Sequence, residues 1–407
     1  MSITNNTITS AKGFMATGLH CGVKKSGKPD LALLACPAGA RAAAVFTTNR
    51  MASAPVALSR RHIKSRSIHG VIVNSGNANA CTGPQGMENA EKMCAETAGR
   101  MGKGIRSESI LVASTGIIGK QLPMTAILDG IAQASGRLSP SPEAGLLFAR
   151  AIMTTDTKVK QAVRRVTFKD TGDGAVTIAG TTKGAGMIAP NMATTLSFFT
   201  SDVAISKPLL SKALKSAVGE SLNKLTVDGH QSTNDTAIIL ASGLAGNQPI
   251  TAACPRYSRF AAALADLCGD LLRQMALDAE GVTRFFKVEI TGAATKSDAA
   301  KACRAIADYP LVKCAVNGRD PNWGRIICAV GSSGAALEPH KLTCKLDDLV
   351  VFKNGTGVKF DAARAVRIVS RKQHTISIDL GAGKNADFCY GCDLSTEYVR
   401  INAHYHT

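Results

Sequence analysis

The 407 residues, 45% hydrophobic and 19% charged, carry enough apolar area for two or three closely joined globular units and too little polarity for a disordered chain. Aromatic residues are only 4%, with one tryptophan, while glycines number 38, so the core is expected from Ala, Val, Ile and Leu with many tight turns, and base stacking on aromatic platforms is not expected. The formal charge of +18 is concentrated early: residues 1–193 hold 23 Lys and Arg against 10 Asp and Glu, residues 194–407 hold 25 against 20.

Hydrophobic periodicity predicts the elements in chain order. Strands are expected at Ala43–Thr48 and Gly70–Asn74, a helix at Met87–Met101, a strand at Ser109–Ala113 and a helix at Thr125–Ser135. Strands follow at Ala175–Thr182 and Thr194–Thr200, then a helix over Pro208–Leu222 opened by Ser206, a strand at Thr236–Ala241 and a helix at Tyr257–Leu277. The last stretch reads as strand Phe286–Thr291, helix Asp298–Asp308 and strands Leu349–Lys353 and Thr375–Leu380. Strict βαβ alternation is missing, which favours a layered α+β arrangement over a doubly wound parallel sheet. With no fixed-period repeat and no long linker, the units should be packed together.

Several function classes are disfavoured. The densest basic cluster, Arg60, Arg61, His62, Lys64 and Arg66, has no interleaved aromatics and reads as a solvated face; a basic nucleic-acid-binding protein is a remote alternative. The twelve cysteines are scattered singly and read as buried thiols in a reducing compartment. Cys389 and Cys392 have the C-x-x-C spacing, yet a zinc site would want a second pair or nearby histidines, so no metal is expected. The first residues lack a basic segment followed by an apolar one, and no run reaches membrane-span length, so a cytoplasmic location is expected.

The oddest segment runs from Lys183 through Gly184, Ala185 and Gly186 to Pro190, Ala193, Thr194 and Leu196. Gly184–Ala189 fits G-x-G-x-x-A, but a dinucleotide loop needs a helix after its glycines and Pro190 sits where that helix would run. A threonine at the head of a buried strand is a weak nucleophile that needs an adjacent base. Breaking the Ala193–Thr194 peptide would supply one, because the freed α-amine, with an ordinary pKa of about 7.7–8.0, would lie within reach of the same residue's hydroxyl. From the residues alone, a threonine that merely lines a strand stays open.

Lys183–Leu196 resembles the self-cleavage and nucleophile motif of the ornithine acetyltransferase family, the bifunctional glutamate N-acetyltransferases of arginine biosynthesis. The resemblance extends in family order through Val73–Ala80, Ala113–Gly119, Met153–Thr157, Ser232–Thr236, Asp320–Arg325 and Tyr398–Ala403. It implies an αββα-type layered fold with a smaller C-terminal unit over roughly residues 285–407, cut into an α chain, 1–193, and a β chain, 194–407. Thr194 would be the amino-terminal nucleophile after cleavage at Ala193–Thr194, and Thr115 with Gly116 the oxyanion hole. Substrate contacts would come from Thr157, Lys183, Thr194, Glu280, Asn402 and the last residue, Thr407, with Lys183 on an α-carboxylate and Glu280 on the ornithine ammonium. The implied reaction is ping-pong acetyl transfer from N2-acetylornithine to glutamate, with no cofactor and acetyl-CoA as a possible further donor, in a heterotetramer of two α and two β chains. A related self-processing N-terminal-threonine aminopeptidase or amidase is the nearest alternative. The sequence departs from the family pattern at His230, Gln231, His404 and His406, all near the expected pocket, which leaves substrate preference open.

Overall fold

The computed structural model describes residues 6–168, 175–189 and 195–404. In chain order the first part comprises β1 (Met15–Leu19), β2 (Leu31–Phe46), α1 (Ala54–His62), β3 (Ile68–Asn77), α2 (Gly83–Met101), β4 (Ile110–Ile117), α3 (Met124–Ser135) and α4 (Pro142–Ala151). It continues with β5 (Lys160–Val166), β6 (Val176–Lys183), β7 (Leu196–Ser201), α5 (Lys207–Gly219), β8 (Leu225–Thr226), β9 (Thr236–Ala241) and α6 (Pro255–Leu277). The remainder holds β10 (Phe285–Ala293), α7 (Lys296–Asp308), α8 (Pro310–Gly318), α9 (Trp323–Gly331), β11 (Thr343–Leu346), β12 (Leu349–Lys353), β13 (Thr356–Gly357), α10 (Ala362–Val369), β14 (Gln373–Asp379), β15 (Asn385–Cys392) and α11 (Thr396–His404).

Two sheets organise these elements, giving a mixed α/β protein. The larger runs β4-β3-β2-β9-β7-β6-β5, with β1 added against β2. Its hinge is β2, whose first half pairs with β1 and β3 and whose second half, Arg41–Phe46, pairs with β9. The register breaks between Ala35 and Ala40, around Pro37, which has no N–H to give a ladder. Period-two alternation then sorts the side chains into layers. Leu31 and Leu33 pack with Met93 of α2 and with Ile127 and Ile131 of α3. Ala32 and Leu34 face the opposite way, onto a middle core that includes Phe198, Ile238 and Leu240 from the other half-sheet. On the far side Phe199 and Ile239 join Leu214 of α5 and Leu267 and Leu271 of α6. The order is helix, half-sheet, half-sheet, helix.

The smaller sheet runs β13-β12-β11-β14-β10-β15-β8. It has its own core, in which Val288, Ile290, Ile376 and Ile378 pack against Ile306 of α7.

Three expectations change. Helix α5 stops at Gly219, and Leu222 instead opens a 3-10 turn, Leu222–Lys224. All twelve cysteines are free thiols, but Cys81, Cys314 and Cys328 are exposed instead of buried, since each sits on a turn or on the outer face of a helix. Three members of the basic cluster are engaged by the protein: Arg61 pairs with Glu91 at 2.7 Å, Arg60 donates to the Thr47 carbonyl, and His62 is buried with Nδ1 2.8 Å from the Ile110 carbonyl. No helix among the described residues is long and apolar enough to cross a membrane.

His374 of β14 is buried, stacks on Phe286 with ring centroids 6.0 Å apart, and finds no hydrogen-bond partner for either nitrogen. Burial pushes its pKa down to about 4. The native state therefore binds fewer protons than the unfolded chain between the ordinary histidine value, about 6.5, and about 4, and stability falls as the pH drops through that window. Thermal melts from pH 7.5 to 4 should show His374→Phe losing less melting temperature on acidification than the wild type; parallel losses would contradict the assignment.

Candidate active site

The segment before β9, the tail of β4 and the end of β6 with the turn after it converge on a cavity of about 260 Å³. Thr115, Gly116, Lys183, Gly186 and Asn402 are in its wall. Strands β3 and β4 are parallel here, with Thr115 opposite Ser75 and Gly116 opposite Gly76. Gly116 adopts φ 130°, and a Cβ there would fall 2.3 Å from the Gly76 carbonyl carbon, so only glycine fits. Asn234, at the head of β9, donates to the Ala78 carbonyl at 2.7 Å and to the Ser114 carbonyl at 2.8 Å, joining the two half-sheets at this end.

Lys183 ends β6 with its side chain buried, and its Nζ donates to Thr115 Oγ1 at 3.0 Å. Burial lowers the Lys183 pKa, against the pull of Asp156 and Asp235. The lysine fills a lone pair on the threonine oxygen, so the hydroxyl proton of Thr115 is free to point at another acceptor.

The turn after Lys183 is tied from below. Gly184 N–H donates to Asp156 at 2.8 Å, Thr154 N–H to the same carboxylate at 3.0 Å, and the buried Lys160 lies 2.6 Å from both Asp156 and Asp278. Burial alone would raise the Asp156 pKa; Lys160 and Lys183 reverse this and hold it at about 2. Asp278, which ends α6, also accepts the Thr157 and Lys158 amides at 3.1 and 3.2 Å and the Thr157 hydroxyl. Two residues on, Glu280 N–H donates to the Ala185 carbonyl at 2.9 Å. The Glu280 carboxylate packs on Gly186, where a Cβ would come within 2.3 Å of Oε2, and accepts from Asn402 Nδ2 at 2.8 Å.

From the other side Asp228 accepts the Met187 amide at 2.6 Å, the Ile188 amide at 2.9 Å and the Tyr398 hydroxyl at 3.1 Å. His230 lies at the cavity rim, exposed, with Nδ1 3.6 Å from Asp228. His404 is exposed at the end of α11.

The structure thus brings together Thr115, Gly116, Lys183, Glu280 and Asn402. Thr157 is exposed, does not line the cavity, and commits its hydroxyl to Asp278. Ala193, Thr194, His406 and Thr407 lie outside the described residues. Asp156, Asp228, Asp235, Asn234 and Tyr398 were not singled out from the sequence, although the first, third, fourth and fifth fall inside the recognised blocks. Neither was Lys24, whose half-buried ammonium donates to the Pro29 and Met153 carbonyls at 2.7 Å each and whose pKa falls to about 8 through partial burial and the nearby Lys183.

Residues 15–407 match the ArgJ family. The chain belongs to that family. Among its relatives, the arginine biosynthesis bifunctional protein ArgJ of Symbiobacterium thermophilum is 45% identical over 402 residues, 98% of each chain. That of Caldanaerobacter subterraneus subsp. tengcongensis is 42% identical over 412 residues, the full length of both. A solved structure of the Bacillus halodurans arginine biosynthesis bifunctional protein is 39% identical and covers 51% of this chain and 97% of its own, with TM-score 0.48.

The buried ion cluster of this ArgJ-family chain gives a direct test. Lys160→Met would leave Asp156 and Asp278 buried without their cation, and removing one member of a buried pair typically costs about 3–5 kcal/mol. Urea unfolding should show a loss of that size together with lost activity; a change below about 1 kcal/mol would contradict the role given to Lys160.

Proposed function

We propose that this chain is an acetyltransferase of arginine biosynthesis that carries the acetyl group of N2-acetylornithine to glutamate through an ester on Thr194, after cutting itself between Ala193 and Thr194. The observation that carries the reading is the Lys183–Thr115 pair at a cavity of about 260 Å³, with Lys183 paired in the sheet to Leu196, the first residue of β7, two positions after the threonine in question. A cavity at the small end of the usual ligand range suits an amino acid better than a bulky cofactor.

The chemistry runs in two similar halves. The Thr194 hydroxyl attacks the acetyl carbonyl of the donor, its proton going to the α-amine freed by cleavage. The oxyanion that forms takes hydrogen bonds from the Thr115 hydroxyl, which Lys183 has oriented, and from the Gly116 N–H; such donors are each worth roughly 100- to 1000-fold in rate. Ornithine departs with its α-amine restored, and the glutamate α-amine attacks the ester through the same oxyanion hole. Glu280, held by Asn402 and backed onto Gly186, offers the negative charge that an ornithine ammonium needs, and Lys183 the positive charge for an α-carboxylate. We extend the proposal to acetyl-CoA as a weaker second donor, to Thr407 as a residue returning to the site, to an α2β2 assembly of the two cut chains and to a cytoplasmic location.

Intact mass of the purified protein tests the reading. Two chains, 1–193 and 194–407, are expected from the wild type and one uncut, inactive chain from Thr194→Ala; a fully active protein that stays whole would refute it.

The oxyanion role is separable. Thr115→Ala should slow both cleavage and transfer about 100-fold or more without changing the far-ultraviolet circular dichroism. Unchanged turnover would place the donor elsewhere.

A further inference from the structure

Two carboxylates share one wall of the cavity. Gly186 and Met187 are neighbours in the chain; the Glu280 carboxylate packs on the first, and the amide of the second donates to Asp228 at 2.6 Å. Helix α11 ties the same two carboxylates together from outside. Tyr398 donates its hydroxyl to Asp228 at 3.1 Å, and Asn402, one turn further on, donates to Glu280 at 2.8 Å. Such a wall suits the ammonium of an ornithine side chain and repels a carboxylate. On the reading proposed above, which this inference extends, the same cavity must also take glutamate. The second carboxylate of that acceptor needs a hydrogen-bond donor that the wall has not already spent.

Most donors there are spent. The Tyr398 hydroxyl is held by Asp228, and Asn402 Nδ2 is divided between Glu280 and the Tyr398 carbonyl at 3.1 Å. Asp228 is well satisfied, since besides the Met187 amide and the Tyr398 hydroxyl it accepts the amides of Ile188 at 2.9 Å and of His230 at 3.2 Å. It makes no further demand on the His230 ring, whose Nδ1 stays 3.6 Å away, beyond hydrogen-bond distance. That imidazole lines the cavity with its side chain 72% exposed. Among the described residues of the cavity wall the other basic side chain is Lys183, which is buried and bonded to Thr115 at the oxyanion end. An imidazole presents an N–H in either charge state and, when protonated, a positive charge as well.

We propose that His230 is the specificity-determining residue that admits an acidic acceptor, its ring N–H binding the side-chain carboxylate of glutamate. The two substrates then share the contacts to the α-carboxylate and the acyl group and separate only at this wall. The ornithine ammonium turns in to the buried Glu280, and the glutamate carboxylate turns out to the rim.

Steady-state kinetics of His230→Asp and His230→Lys, with both substrates varied, test this. His230→Asp should raise the glutamate KM about tenfold or more, because a third carboxylate on this wall repels the acceptor, while the KM for N-acetylornithine holds or falls. His230→Lys keeps an N–H donor and should leave the glutamate KM within about threefold of wild type, the scale of one exposed ion pair. Glutamine, the neutral analogue of the acceptor, should gain on glutamate in the Asp variant. Both variants should melt with the wild type, since the side chain is exposed. A glutamate KM unmoved by His230→Asp, both KM values rising together, or a Lys variant as impaired as the Asp variant would overturn the assignment, as would a lowered melting temperature. A wild-type protein that forms no acetylglutamate from N-acetylornithine would instead sink the transfer reading itself.

Discussion

The shape of the site rests on one buried ammonium. Lys160 stands 2.6 Å from Asp156 and 2.6 Å from Asp278; both carboxylates also accept backbone amides, and Asp278 the Thr157 hydroxyl as well. Asp156 holds the Gly184 amide, and with it the turn that begins directly after Lys183; Asp278 holds the amides of residues 157 and 158 and closes the helix that delivers Glu280. Charges taken out of water are tolerable only with such full pairing, so the cluster is an all-or-none device. When it forms, the β6 turn, the loop before β5 and the end of α6 have a single relative placement.

That placement explains how one cavity can serve two substrates of opposite side-chain charge. N-acetylornithine and glutamate share the α-carboxylate and differ at the far end, so the fixed contacts need only recognise the common part and the reacting acyl group. On the reading proposed above, Lys183 and Thr115 do this; both are buried and hydrogen-bonded to each other. The groups toward the outside come from other elements: Tyr398 and Asn402 from the last described helix, α11, and His230 from an exposed position beside Asp228. On the reading proposed above, recognition at the far end is shared between the fixed Glu280 and these outer elements.

Much of this was legible in the sequence where one physical signal dominated. Thr236–Ala241 and Leu349–Lys353 are strands at the expected bounds because their apolar, β-branched runs end in turn residues. The long β2 is expected from its sequence only from residue 43; Pro37 and Gly39 interrupt its apolar run, and the fold uses that stretch to bend a continuous strand from one half-sheet to the other. β5 and β15 lack a clear strand signal since Lys160, Arg164, Arg165 and Asp387 interrupt their apolar pattern, and Lys160, Arg164 and Asp387 find distant partners in Asp278, Asp270 and Lys224. The same holds for the site. Thr115, Lys183, Glu280 and Asn402 come through motif resemblance, whereas the need for Asp156 and Asp228 arises when separate chain segments meet, as Gly184 meets Asp156 and Met187 meets Asp228. Thr157 shows the converse: its motif was recognised, but its hydroxyl belongs to Asp278.

The central claim is that acetyl groups travel on the hydroxyl of Thr194. It is tested most directly by mixing the purified enzyme with N-acetylornithine in the absence of glutamate, quenching in acid and mapping the mass by peptide. The account predicts one added acetyl group on the amino-terminal peptide of the 194–407 chain, as an ester that disappears when glutamate is supplied. An unmodified Thr194 peptide from enzyme that is fully active once glutamate is added, or a stable acetyl group on any other residue, would contradict it.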